Sequence, residues 1–403
     1  MRGFNMTPGP GIHRTVLPKG FSASGTNCGV RRYRPDIGVL MSDVPAVAAG
    51  VFTLNECKAA PVVHCAKVLP SDNVRAIFTN SGQANAATGA EGFKRNQEVL
   101  DATAKAIGCR ADQVLIASTG VIGVQMATDK IIPALPDLVE RANENAESFA
   151  LAILTTDLVP KTVTTTVALS QGEIRITGIC KGSGMIHPNM ATMLGYILTD
   201  VKVSKEIAHE VLKAATDLSF NMISVDGDSS TNDCVFIMAN GQSHVELKTD
   251  ADYHLFKQAV RDVSIFLAKS IAADGEGATK LIEVNLIGSP EIQLAKQAAR
   301  GVTLSPLIKT AIHGEDPNWG RILARLGAEK VPSHCLEKMN LTLQGIILFE
   351  NGEPAAFNKD EVRALLKKSN VKIEIDLKSG PYQATAWGCD LSKKYVDINT
   401  EYS

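Results

Sequence analysis

Apolar residues recur along this chain with strand-like alternation in some stretches and helical spacing in others. Val74-Arg75-Ala76-Ile77-Phe78 predicts a short strand that ends in the polar run Thr79-Asn80-Ser81-Gly82. Phe93, Val99, Leu100, Ala104 and Ile107 then share one helical face, with Gly108 as the stop. Val114-Leu115-Ile116-Ala117 predicts another strand, running into Ser118-Thr119-Gly120. From Lys161 to Leu169 apolar residues alternate with threonine; the chain turns at Gln171-Gly172 and returns as Ile174-Arg175-Ile176-Thr177. That pattern predicts a hairpin. Its return strand delivers the chain to the glycine-rich stretch Gly178 to Gly184.

In the second half, Met193 to Leu198 is a continuous apolar run, as expected of a buried strand. Ser204 predicts the cap of a helix with Ile207, Val211, Leu212, Ala215 and Leu218 on one face. A second amphipathic helix carries Leu255, Ala259, Val263, Phe266 and Leu267 and ends near Asp274-Gly275. Ile282, Val284 and Leu286 alternate as in a strand, and Ser289-Pro290 and Ser305-Pro306 both predict a cap followed by proline in the first turn. A hairpin is expected at Glu350-Asn351-Gly352, a short helix around Val362 to Leu366, and a strand through Val371, Ile373, Ile375 and Leu377. Hairpins mixed with helices predict a mixed α/β protein rather than a regular βαβ winding.

Bulk composition narrows the class without naming a function. With 403 residues, 45% hydrophobic and 21% charged, the chain can bury a large core and divide into domains. A formal net charge of -2 gives no reason to expect a nucleic-acid or anionic-membrane partner. No apolar stretch is long enough to span a bilayer, and Met1 to Met6 has no apolar signal core. The eight cysteines are scattered singly, without metal-ligand spacing, as suits a reducing compartment. A cytoplasmic enzyme without a metal is the expectation, with a soluble binding module as the alternative.

The common nucleophile, zinc, phosphate and dinucleotide motifs are absent. What stands out is three polar stretches, each following a strand-like segment: Asn80 to Asn85, Ser118 to Gly123, and Lys181 to Thr192. Taken singly, each reads as a tight turn. In the third, the small residue Ala191 precedes Thr192, which opens an apolar strand. Such a pair suits self-cleavage: the hydroxyl attacks the preceding carbonyl and the ester hydrolyses. Thr192 would then own a free α-amine, whose ordinary pKa of about 7.7–8.0 suits a general base. His187 lies close by, but the freed amine already supplies a base, so it reads as a turn residue before Pro188. Asp226, Asp228 and Asp233 have no histidine among them and read as structural or loop acids.

The sequence resembles the ornithine acetyltransferase family, the bifunctional glutamate N-acetyltransferases of arginine biosynthesis, over nearly its whole length. The resemblance is carried by Lys181 to Thr199, Ala49-Gly50-Val51-Phe52-Thr53, Lys58 to Val62, Asn80-Ser81-Gly82 and Ser118 to Gly123. It continues through Ser224 to Asp228 with Ser230 to Asp233, Asp274 to Lys280, Ser305-Pro306-Leu307, Gly314 to Arg321 and Tyr395 to Asn399.

The resemblance implies an α/β fold with an N-terminal-nucleophile-like αββα core and a smaller C-terminal α/β domain at roughly 285–385. It implies cleavage between Ala191 and Thr192 into an α chain, 1–191, and a β chain, 192–403, assembled as a heterotetramer of two α and two β chains. Thr192 would be the nucleophile and Thr119 with Gly120 the oxyanion hole. Substrate contacts fall on Thr155, Lys181, Thr192, Glu276, Asn399 and Ser403. Thr155 is chosen over Thr156 by its distance to Lys181; which of Lys181 and Glu276 meets which substrate charge stays open. The implied reaction moves acetyl from N-acetylornithine to glutamate by a ping-pong route without a cofactor, with acetyl-CoA as a further possible donor. A threonine-nucleophile aminopeptidase or amidase of related fold is the alternative.

Overall fold

The structure is a computed structural model and describes residues 16–187 and 193–400. Its first sheet is organised by one long strand. β2 (Ile37–Phe52) pairs antiparallel through its first part with β1 (Phe21–Thr26) and β3 (Ser71–Gln83), and through its end with β9 (Cys234–Ala239). With β4 (Val114–Val121), β5 (Lys161–Leu169), β6 (Gly172–Lys181) and β7 (Leu194–Thr199) the order is β4-β3-β2-β9-β7-β6-β5, β1 lying beside β2. Every residue of β7 and β9 is buried. That follows from their unbroken apolar runs, which only a strand covered on both faces can hide.

Helices cover this sheet on both faces. One side carries α1 (Ala60–Val68), α2 (Gly89–Ile107), α3 (Thr128–Glu140) and α4 (Glu147–Ala152), packed around Val39, Ile77, Leu100, Ile131 and Phe149. The other side carries α5 (Lys205–Leu218), against β2 and β9, and α6 (Asp250–Ala273), against β5 and β6. Ser204 caps α5 as expected, accepting from the Ile207 N–H at 3.3 Å.

The second sheet has the order β13-β12-β11-β14-β10-β15-β8. Its members are β8 (Ile223–Ser224), β10 (Leu281–Ser289), β11 (Asn340–Leu343), β12 (Ile346–Glu350), β13 (Glu353–Pro354), β14 (Asn370–Asp376) and β15 (Tyr382–Cys389). α7 (Ile292–Leu304) packs on β10 and β15 and is followed by α8 (Pro306–His313), α9 (Trp319–Ala328), α10 (Ser333–Leu336) and α11 (Lys359–Leu366). α6 also reaches β15 and β10, so the apolar core under α5 and α6 continues into the second sheet. The described residues finish with α12 (Lys393–Thr400), which buries no residue of its own. The result is the expected mixed α/β fold, two mixed sheets with helices packed on them and α6 in contact with both.

Several local expectations change. The polar runs after the first strands are not turns: β3 extends through Gln83 and β4 through Val121, paired parallel. On α6 the buried stripe is Phe256, Val260, Val263, Leu267 and Ile271, while Leu255 is exposed. Phe93 of α2 is also exposed. Ser289 closes β10 rather than capping α7, whereas Ser305 does cap α8, accepting from Ile308 N–H at 3.4 Å. At the 350–352 hairpin Asn351 and Gly352 have φ of 50° and 82°, the left-handed pair that a tight two-residue turn needs.

Candidate active site

The site grows from the C-terminal ends of β3 and β4. Ser81 stands opposite Thr119 and Gly82 opposite Gly120 in the parallel register. Gly120 has φ 129°, and a methyl group on it would overlap the Gly82 carbonyl carbon, so glycine alone lets the strands come this close. Asn232, just before β9, fastens both strands from the side. Its amide donates to the Ala84 carbonyl at 2.6 Å and the Ser118 carbonyl at 2.8 Å, and its oxygen accepts from the Thr231 hydroxyl at 2.6 Å.

β6 brings Lys181 to the same place, opposite Leu194 of β7. The Lys181 ammonium donates to Thr155 Oγ1 at 2.9 Å and to Thr119 Oγ1 at 3.2 Å, and lies 4.0 Å from Asp157. Burial lowers its pKa, and Asp157 works against that shift.

Behind it lies a dry charge cluster. Lys161 donates to Asp157 at 2.7 Å and to Asp274 at 2.6 Å, with all three side chains almost wholly buried. Asp157 also accepts from Gly182 N–H at 2.7 Å and Thr155 N–H at 3.1 Å, which fixes the backbone on both sides of the pocket. Burial alone would raise the Asp157 pKa; the attraction of Lys161 and Lys181 outweighs it and holds the carboxyl well below the usual carboxylate range.

Asp274 anchors the loop that presents Glu276. The Glu276 N–H donates to the Ser183 carbonyl at 3.0 Å, and its carboxylate accepts from Asn399 Nδ2 of α12 at 2.7 Å. Gly184 makes room: a methyl group there would overlap the Glu276 carboxylate.

Thr119, Gly120, Thr155, Lys181, Glu276 and Asn399 thus line one cavity of about 290 Å³, which Asn232 and Met185 also line. Thr192, Ala191 and Ser403 lie outside the described residues. A larger cavity of about 560 Å³ opens beyond His187, among Lys296, Arg300 and Glu329, and holds none of the expected substrate contacts. The His187 Nε2 accepts from Arg300 at 3.1 Å and Nδ1 meets Ser224 Oγ at 3.2 Å. Burial, then the Arg300 charge, pulls its pKa down to about 4.

Sequence reasoning missed Asp157, Lys161 and Asn232. Asp157 and Lys161 follow Thr155 within a few residues of chain, and a charged pair beside a threonine expected to meet substrate was the available signal. Asp226 fastens the loop, accepting from Met185 N–H at 2.6 Å and Ile186 N–H at 2.9 Å. Among the described residues no cluster of histidine, cysteine and acidic side chains could hold a metal ion, and no helix is long and apolar enough to cross a membrane.

A two-sheet α/β core whose parallel strand ends converge on a polar pocket with a buried ammonium and a buried carboxylate is the architecture of an α/β enzyme with a small-molecule site. More narrowly, the chain belongs to the ArgJ family, whose sequence profile matches residues 22–403. An arginine biosynthesis bifunctional protein ArgJ of Thermotoga neapolitana is 43% identical over 96% of this chain and 99% of its own. One of Chlorobaculum tepidum is 43% identical over 98% of each chain. The crystal structure of an arginine biosynthesis bifunctional protein argJ from Bacillus halodurans is 41% identical with a TM-score of 0.50, covering 52% of this chain and 100% of that one.

Proposed function

We propose that this chain is a self-cleaving acetyltransferase of arginine biosynthesis that moves acetyl from N-acetylornithine to glutamate through an acetyl-Thr192 intermediate. One observation carries the site assignment. A buried ammonium, Lys181, and a buried carboxylate, Glu276, line the same cavity as the Thr119–Gly120 strand end, and Lys181 is in register with Leu194, two residues beyond Thr192. Donor and acceptor are both α-amino acids, so a pocket with one fixed cation and one fixed anion suits each in turn. Thr119 and Gly120 offer a hydroxyl and a backbone N–H, the donors that an acyl-transfer oxyanion needs. No cofactor enters the cycle, and acetyl-CoA is a possible second donor.

Cleavage at Ala191–Thr192 would give fragments each about half of the chain, and the whole solved Bacillus halodurans chain aligns on 52% of this one. Two α and two β chains in the cytoplasm complete the reading.

Mass spectrometry of enzyme mixed with N-acetylornithine, without glutamate, tests it. One added acetyl on the peptide that begins at Thr192 is expected, with parallel double-reciprocal plots when both substrates are varied. Intersecting lines with no acetylated fragment would remove Thr192 from its role. Rapid release of acetate without acetylglutamate would favour a threonine-nucleophile aminopeptidase or amidase.

A further inference from the structure

The loop that presents Glu276 is tied down at its far end by another buried acid. Asp390, the residue after β15, gathers four donors on its carboxylate. Oδ1 accepts from the Thr279 N–H at 2.7 Å and the Lys280 N–H at 2.8 Å. Oδ2 accepts from the Thr279 hydroxyl at 2.5 Å and from His313 Nδ1 at 2.7 Å. The Asp390 N–H in turn donates to the Lys280 carbonyl at 3.1 Å. Only a carboxylate can serve two donors on each oxygen; an asparagine would turn its NH₂ toward one of the pairs.

His313 reaches this acid from another part of the fold. It closes α8, and Lys280 fastens that helix end in return, donating to the Ile312 carbonyl at 2.9 Å and the His313 carbonyl at 3.4 Å. The open carbonyls of a helix C-terminus are a favourable place for an ammonium. The polar stretch Gly314 to Arg321 then folds back on α8, with the Asp316 N–H on the Ala311 carbonyl at 2.8 Å and Arg321 on the Leu307 carbonyl at 2.6 Å. It fixes the helix from which His313 projects. The His313 side chain is 40% exposed while that of Asp390 is fully buried, so this donor can be removed without opening the core.

Both chain segments that meet at the Glu276 carboxylate start from Asp390. One runs back from Thr279 to Glu276 through a tight turn, in which the Ala278 N–H donates to the Gly275 carbonyl at 2.8 Å. The other runs forward: the Ser392 hydroxyl donates to the Gly277 carbonyl at 2.6 Å, and α12 carries Asn399 to Glu276. A shift at Asp390 therefore reaches the acid by two routes, each with little chain in which to dissipate.

We propose that His313 and Asp390 are a positioning pair for Glu276, setting where that acid stands in the cavity without touching the substrate themselves. The proposal rests on the reading of Glu276 as a substrate contact.

Steady-state kinetics of His313→Ala test it. KM for N-acetylornithine and for glutamate should rise on the order of 5-fold, less than the loss of a direct charged hydrogen bond, with kcat and thermal melting close to wild type. His313→Asn, whose amide can donate from the place of Nδ1, should restore most of that loss. In a Glu276→Gln background the alanine change should add little further, a coupling that a double-mutant cycle measures. Unchanged KM in His313→Ala, no recovery with asparagine, or strict additivity with Glu276→Gln overturns the proposal. If His313→Ala fails to melt cooperatively, Thr279→Val, which removes a different donor to Asp390 from an exposed position, is read by the same measures. Wild-type KM in Glu276→Gln alone would overturn the reading of Glu276, and the positioning role with it.

Discussion

Asn399 of α12 donates to the Glu276 carboxylate at 2.7 Å, and its amide also reaches the Tyr395 carbonyl at 3.0 Å. A terminal helix that buries nothing of its own is therefore held against the cavity by its contact with a buried acid. Asn399→Ala removes a neutral donor from a charged acceptor and leaves Glu276 free to rotate. A rise in KM of roughly tenfold for the amino-acid substrates is expected, at the lower end of what such bonds contribute because Asn399 is exposed. Steady-state kinetics with each substrate, and unchanged thermal melting, check it.

Thr119 serves two purposes, since its Oγ1 accepts from Lys181 at 3.2 Å while its backbone stands beside Gly120 at the strand end. Thr119→Val keeps the shape and removes the hydroxyl. Acetyl transfer should fall on the order of 10²-fold in kcat, the usual cost of one oxyanion donor. Thr119→Ser should keep most of the activity. Equal activity of the valine variant would take the hydroxyl out of the chemistry.

Lys161 neutralises Asp157 and Asp274 in a nearly dry setting. Lys161→Met leaves Asp274 without its cation and Asp157 with only the more distant Lys181, and a loss of about 3–5 kcal/mol in urea unfolding is expected. The sign of the acid response follows from Asp157. Its folded pKa lies below the unfolded value of about 3.9, so its contribution is fully present above that pH and is lost as pH falls toward the folded value. Asp274 shifts the other way, because burial outweighs its single lysine. Asp157 has two lysines and should dominate, so Asp157→Asn should flatten the fall of stability below about pH 4, followed by circular dichroism.

The sequence was most legible where local chemistry dictates the element. The all-apolar run of β7, the Ser204 and Ser305 caps and the Asn351-Gly352 turn all follow from rules that act within a few residues. It was least legible where a distant partner decides. The 80–83 and 118–121 runs look like turns by composition, yet they pair as strands because Gly82 and Gly120 let the backbones approach and Asn232 fastens them from the loop before β9. The α6 stripe keeps Val263 and Leu267 but takes Phe256 and Val260 in place of Leu255 and Ala259, because that helix touches both sheets, which periodicity cannot anticipate. Within the site, Lys181 and Glu276 were nameable from motifs, while the Lys161 cluster behind them joins β5, the end of α6 and the 155–158 segment only in three dimensions.

Gly184 offers the most selective test of Glu276, because it touches the acid without carrying any chemistry. A methyl group at 184 would overlap the Glu276 carboxylate, whereas Gly184 has no left-handed φ that would itself resist alanine. Gly184→Ala should therefore spare the backbone and displace the acid. The neighbouring anchors, Gly182 N–H to Asp157 at 2.7 Å and Met185 N–H to Asp226 at 2.6 Å, hold the loop, so the side chain is what must move. The expected result is a rise in KM for N-acetylornithine and glutamate of roughly tenfold or more, comparable to the loss of one charged hydrogen bond, with cleavage intact. Shortening the acid should relieve the overlap. Gly184→Ala combined with Glu276→Asp should then lose less than the sum of the two single changes, a coupling that a double-mutant cycle reads directly. Strict additivity in that cycle, or unaltered KM in Gly184→Ala, would mean that Glu276 does not meet the substrate from its present position.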